Sequence, residues 1–114
     1  MAKGDKNRLP SDYVKQLSSL AQCQQGSIVS RVLLWNTGGT VTLFAFSQGE
    51  RLSEHTAPFD ALLNVIEGEA EVDIDTAKYR LRAGEIITLP AHRPHAVRAT
   101  TDFKMLLIMI RHQN

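Results

Sequence analysis

Four histidines and one cysteine hold most of this chain's capacity for chemistry: His55, His92, His95, His112 and Cys23. A neutral imidazole offers one hydrogen-bond donor and one acceptor, can move a proton near neutral pH, and can bind a metal. Two stretches present histidines on a shared plan of glycine turn, short strand and histidine. In the first, Gly49 is followed by five residues and His55, with Gly68 closing the next strand. In the second, Gly84 is followed by five residues, then Pro90, His92, Pro94 and His95, and fifteen residues separate Gly68 from Gly84. His55 and His95 are therefore candidates to meet across a pocket, bonded to each other, to water or to a ligand. If His92 joined them, three neutral imidazoles with open positions would suit zinc, nickel, copper or iron(II). His92 alone reads as a turn residue, and His112 as a solvated one near a polar end. Cys23 has no basic partner near it in sequence, which favours a packing role over a nucleophile. The residues give no Ser-His-Asp arrangement and no phosphate-cradling glycine loop.

The elements that must position these groups are short and mostly of period two. "SDYVKQLSSLAQ" predicts a short helix capped by Ser11, with Tyr13, Leu17 and Leu20 on one face. After Gly26 the pattern turns to strands: "SIVSRVLLWN", a turn at Asn36, Gly38 and Gly39, then "TVTLFAFS". The latter puts Val41, Leu43 and Ala45 on one face and Thr42, Phe44 and Phe46 on the other, so both faces invite cover. "DALLNVIEG" follows, then "EAEVDID" with Ala70, Val72 and Ile74 inward and acids outward. "KYRLRAG" answers it with Tyr79 and Leu81 inward and Lys78, Arg80 and Arg82 outward, so an acidic face lies opposite a basic one. "EIITLP", "HAVRA" and "FKMLLIMIRH" complete the run; Met105 and Met109 share a strand face and read as core. The pattern predicts an all-β antiparallel sandwich or small barrel. It divides into an arm over residues 1–25 and a barrel domain over residues 26–114.

Composition fits one globular domain of 114 residues, with 43% apolar and 22% charged positions. Thirteen basic and twelve acidic side chains leave a net +1. That balance gives no electrostatic ground to expect nucleic acid as a partner. One cysteine forbids an intrachain disulfide and a thiolate metal cluster. "MAKGDKNRLP" lacks the apolar run of a secretory signal, and Met105 to Ile110 is too short to span a bilayer. The expectation is a cytoplasmic protein with no membrane partner.

The paired glycine–histidine plan resembles the two motifs of the cupin family, and the likeness covers roughly residues 26–110. Gly49, His55 and Gly68 match the first motif; Gly84, Pro90 and His95 match the second. The resemblance implies an antiparallel double-stranded β-helix, or jelly-roll barrel. In metal-binding cupins three histidines and a glutamate hold a divalent metal. Here the first and last histidines are His55 and His95, but the second histidine's place is Ala57 and the glutamate's is Ala61. The glycine and asparagine of the second motif are replaced by His92 and Ala99. Asp60 adjoins the vacated glutamate position, although a one-residue step along a strand points the other way.

Two readings of different class follow. In the first, a barrel pocket binds a small organic molecule, with His55 and His95 orienting it and Ala57, Ala61, Leu63, Val65, Val97 and Met105 lining it. In the second, a metal-dependent oxygenase or isomerase uses His55, His95 and His92 as ligands. The resemblance also implies a homodimer, and Phe44 and Phe46 beside "VLLW" predict an exposed apolar face for the second copy.

Overall fold

A computed structural model describes residues 12–111. Nine strands run through it: β1 (Ile28–Asn36), β2 (Gly39–Phe46), β3 (Arg51–His55), β4 (Asp60–Glu67), β5 (Glu69–Ile74), β6 (Ala77–Arg82), β7 (Ile86–Leu89), β8 (His95–Ala99) and β9 (Phe103–Ile110). They form two antiparallel sheets, one ordered β1-β2-β9-β4-β7 and the other β3-β8-β5-β6. Apart from the β1–β2 and β5–β6 hairpins, successive strands cross from one sheet to the other, which makes a jelly-roll barrel.

Alternation along each strand supplies the interior. Ala61, Leu63 and Val65 of β4 face Ala70, Val72 and Ile74 of β5 and Val97 and Ala99 of β8 in one apolar cluster. Phe46 and Phe103 stack at 4.6 Å between ring centroids within that cluster, and both are essentially sealed from solvent. The outer face of the four-stranded sheet carries the predicted charge pairing. Glu69, Glu71 and Asp73 stand opposite Arg82, Arg80 and Lys78 in the β5–β6 register. Lys78 reaches Asp73 at 3.2 Å and Arg82 reaches Glu69 at 3.2 Å. Leu81 is buried as expected, but Tyr79 is half-exposed because β6 is an edge strand.

The short strand expected between Gly49 and His55 is β3; "RLSEH" holds a single apolar residue, Leu52, and its partner β8 supplies the apolar side, with Leu52 opposite Val97. Two other expectations change. The predicted helix is one 3₁₀ turn, Leu17–Leu20, whose leading residue Gln16 makes no side-chain cap; Ser11 lies outside the described residues. Leu17, Leu20, Ala21 and Cys23 instead pack on the outer face of the five-stranded sheet over Leu43 and Ala45. Tertiary burial of these few residues outweighs the weak helix preference of the Ser18–Ser19 pair. The buried Lys104 amine donates to the Ser18 carbonyl at 2.5 Å and lies 3.7 Å from Glu67, fixing that arm to the sheet. Finally, Phe44 and Phe46 are not an outer patch. They turn into the barrel, Phe46 fully and Phe44 partly buried, while Leu43 and Ala45 face outward beneath the arm. No described helix is long and apolar enough to cross a membrane.

Candidate functional site

His55 ends β3 and His95 begins β8, and the register sets them directly opposite each other. The β3–β8 register shifts between Leu52 and His55. The ring centroids are 4.3 Å apart at 67°, an edge-on contact. On its other side His95 faces Ile74. His95 is 8% exposed, whereas His55 is open to solvent. Burial pushes the His95 pKa below its ordinary value, and repulsion from a charged His55 adds to this; a bond to the Arg93 carbonyl opposes both.

Each ring is oriented by its own strand end. Nδ1 of His55 lies 2.9 Å from the Ser53 carbonyl oxygen, and Nδ1 of His95 lies 3.3 Å from that of Arg93. A carbonyl only accepts, so each of these contacts is a hydrogen bond when Nδ1 carries the proton. No described group bonds to either Nε2.

The barrel interior is closely packed around its two phenylalanines. Around Phe46 and Phe103, the inward side chains of Leu63, Val65, Ala70, Val72 and Met105 have no exposure. Six further apolar residues pack on the same cluster and are only partly buried: Ile28, Phe44, Leu52, Ile87, Leu107 and Met109. Met109 stands opposite Ala61 on one side and Thr40 on the other. The Thr40 hydroxyl is buried without a described partner, beside a cavity of about 20 Å³ shared with Phe59, Met109 and Arg111.

The proposed pocket residues therefore separate. His55 and His95 pair at the ends of β3 and β8, Val97 lies one inward step along β8 from His95, and Ala61 is buried in the core cluster. Leu63, Val65 and Met105 belong to the closed core. Ala57 lies on the segment between β3 and β4, where its carbonyl accepts from the His92 N–H at 2.8 Å. Asp60 accepts from the Ala91 N–H at 2.8 Å. These two bonds tie the segment before β4 to the turn before β8. Ile74, which faces His95 across the β5–β8 pairing, was read only as an inward residue, because strand pairing is a tertiary property.

His92 is exposed, with φ of 66°, and does not complete a ligand set. Among the described residues no three His, Cys, Asp or Glu side chains are grouped to hold a metal ion; His112 lies outside the described residues. The vacated positions Ala57 and Ala61 supply no donor atom, and zinc sites draw on three or four protein ligands. A two-imidazole donor set does not fit a resident metal of the kind the motifs imply. Cys23 is half-buried, with its thiol against the Phe103 carbonyl at 3.7 Å; burial raises its pKa, which suits packing and not nucleophilic attack. A separate groove of about 450 Å³ lies on the outer face of the four-stranded sheet, among Arg51, Arg98, Lys78, Glu71 and Asp73.

Comparison with known proteins agrees with this architecture. The family model described as a cupin domain matches residues 42–111. A conserved protein of unknown function from Streptococcus pyogenes superposes with a TM-score of 0.88 at 30% identity, covering 93% of both chains. A cupin superfamily protein from Desulfitobacterium hafniense gives 0.86 at 31% identity, covering 91% of this chain and 95% of the other. Among curated proteins, "Polyketide synthase CurC" of Streptomyces cyaneus is 32% identical over 77 residues, 67% of this chain and 50% of that protein. "Protein SchB" of Streptomyces halstedii is 33% identical over 73 residues, 63% of this chain and 53% of that protein. The chain thus spans about half the length of the curated relatives it matches.

Proposed function

This chain belongs to the cupin family, and from that premise we propose that its barrel is a binding pocket for a small organic molecule. The observation that carries this reading is the His55–His95 pair, edge to edge at 4.3 Å, at the ends of two strands whose inward residues Leu52 and Val97 are apolar. An apolar wall with a few convergent polar groups is the usual make-up of a ligand site. The apolar side chains hold the body of the ligand, and the two imidazoles fix its polar end. The likeness to a protein named as a polyketide synthase supports an oxygenated carbon skeleton as the ligand type.

The test is a binding screen on untagged protein by ligand-observed NMR, with His55→Ala and His95→Ala as controls. Binding that both substitutions weaken at least tenfold is the expected result. Near-stoichiometric metal in the purified protein, whose removal abolishes binding or stability, would overturn the reading.

The second reading is a metal-dependent cupin enzyme with His55 and His95 as ligands. Its support is that both Nε2 atoms are free of bonds to described groups. It needs at least one further ligand, and metal analysis after incubation with zinc, nickel, copper and iron(II) decides it. For a protein partner, we propose a second copy of this chain.

A further inference from the structure

We propose that the outer face of the four-stranded sheet holds a second binding site: a groove over Ala96 in which Arg51 and Arg98 grip the phosphoryl group of a small phosphorylated molecule. Alternation along β8 turns Ala96 and Arg98 outward and Val97 inward, so this site stands apart from the pocket proposed above.

Strand pairing sets four residues in one row across the sheet: Arg51 of β3, Arg98 of β8, Glu71 of β5 and Arg80 of β6. Directly opposite residues share a face, with Cβ atoms about 4.5–5.5 Å apart, and like charges placed so are unfavourable. One carboxylate thus serves a row of three guanidinium groups. Glu71 accepts from Arg98 at 2.9 Å, while Arg80 leans to Glu69 at 3.9 Å. Asp73, one row on, is taken by Lys78 at 3.2 Å. The Arg51 guanidinium has no ion pair or hydrogen bond with a described residue, and it stands opposite a second cation. Among the described residues Arg98 donates only to Glu71, which leaves most of its five N–H groups for a ligand.

The space beside this pair follows from one small residue. Ala96 points outward among long charged chains, and yet it is only 5% exposed, because those chains rise around it. The groove above it measures about 450 Å³ and is bordered by Arg51, Arg98, Lys78, Glu71 and Asp73. That size suits a small molecule. β3 is an edge strand, so Arg51 reaches the groove from the open side of the sheet.

Charge and shape then select the ligand. An anion between Arg51 and Arg98 removes the like-charge opposition built into the row. A carboxylate has two oxygens and is filled by one guanidinium fork. A phosphoryl group carries three acceptor oxygens and about −1.5 to −2 charge near neutral pH, which suits two. Its organic part lies over Ala96.

The experiment titrates the full chain at fixed ionic strength with phenyl phosphate as the probe and inorganic phosphate and benzoate as comparisons. Amide and arginine Nε–H signals in ¹H–¹⁵N NMR spectra report binding. The expected result is saturable shifts at Ala96, Arg98 and Arg51, with benzoate at least tenfold weaker. Arg51→Gln should weaken phenyl phosphate at least tenfold and leave the thermal midpoint equal or higher, because it removes a charge with no described partner. Ala96→Met fills the groove and keeps every charge, and it should weaken binding as well, with unchanged far-UV circular dichroism. No saturable shift at millimolar concentration, or an affinity indifferent to Arg51→Gln, would overturn the site. Benzoate equal to phenyl phosphate would overturn the phosphoryl rule. Inorganic phosphate equal to phenyl phosphate would overturn the organic part of the ligand. Affinity lost in His55→Ala and kept in Arg51→Gln would put the ligand at the histidine pair and overturn the inference.

Discussion

His95 couples the site to stability through its burial. Its pKa is lowered in the fold from an ordinary value of 6.5, so the unfolded chain takes up the proton first as pH falls. Stability is then lost as pH drops through 6.5 towards the folded value, and no further below it from this group. Denaturant melts at pH 7.5 and 5.5 should show a lower midpoint at the acid pH, and His95→Gln should reduce that difference. The groups facing the ring are His55 and the Arg93 carbonyl, so His55→Ala should also reduce it by removing one source of repulsion. An undiminished acid effect in both variants would place its origin elsewhere. His92 offers a second test. It occupies the place of a motif glycine, and its φ of 66° is the left-handed conformation that glycine adopts without strain. His92→Gly should therefore be neutral or stabilising, by up to about 1 kcal/mol. His92→Val should destabilise by about 1–2 kcal/mol, read from the midpoint of urea unfolding. The position was visible in sequence as a departure from the motif. The physical demand behind it was not, because only the backbone angle reveals it.

At the scale of elements, the turns that close the strands were the most legible feature, and their glycines differ in what they resist. Gly68 combines φ of 77° with a crowded surrounding: an added Cβ would lie 2.2 Å from the Asp102 carbonyl oxygen. Gly49 has φ of 91° and open space around it. Gly68→Ala should cost about 2–4 kcal/mol, overpacking added to backbone strain. Gly49→Ala should cost only about 1 kcal/mol for the strain. Thermal unfolding of the two variants compares them directly, and equal losses would contradict the packing account. The strands from Asp60 to Arg82 were legible for a related reason: alternation is strict there, and the acidic and basic outer faces name each other as partners. Arg51–His55 was legible as a short strand only from its place between Gly49 and His55, not from alternation. Its inward side rests on Leu52 alone, and its pairing comes from β8, more than forty residues later in the chain. The arm failed as a helix for a similar reason. Its apolar residues answer to the outer face of a sheet, a surface that local periodicity does not contain.

For the whole molecule, the remaining question is what the five-stranded sheet meets at its β1 edge. The sequence suggested Phe44 and Phe46 as the apolar face for a second copy, because two apolar faces on one strand do not say which is inside. The barrel takes the phenylalanines, and the arm covers Leu43 and Ala45. A different apolar surface remains. The β1 register shifts between Val32 and Leu34, and beyond it Leu34 is 59% exposed, Trp35 42% and, across β2 on β9, Ile110 61%. They border a depression of about 280 Å³ that Gly38, Gly39, Val41 and Ile108 also line. An edge strand with apolar side chains invites pairing with another chain. We propose that the homodimer forms at this edge, with β1 of each copy against the other, the same patch on both partners as a two-fold interface requires. Light scattering at micromolar concentration should give twice the chain mass, and Leu34→Lys should give the chain mass with unchanged far-UV circular dichroism. The substitution sits outside the histidine pair and the closed core, so the barrel remains intact in that variant. A monomer in the unaltered protein would remove the dimer altogether; a dimer indifferent to Leu34→Lys would move its interface away from β1.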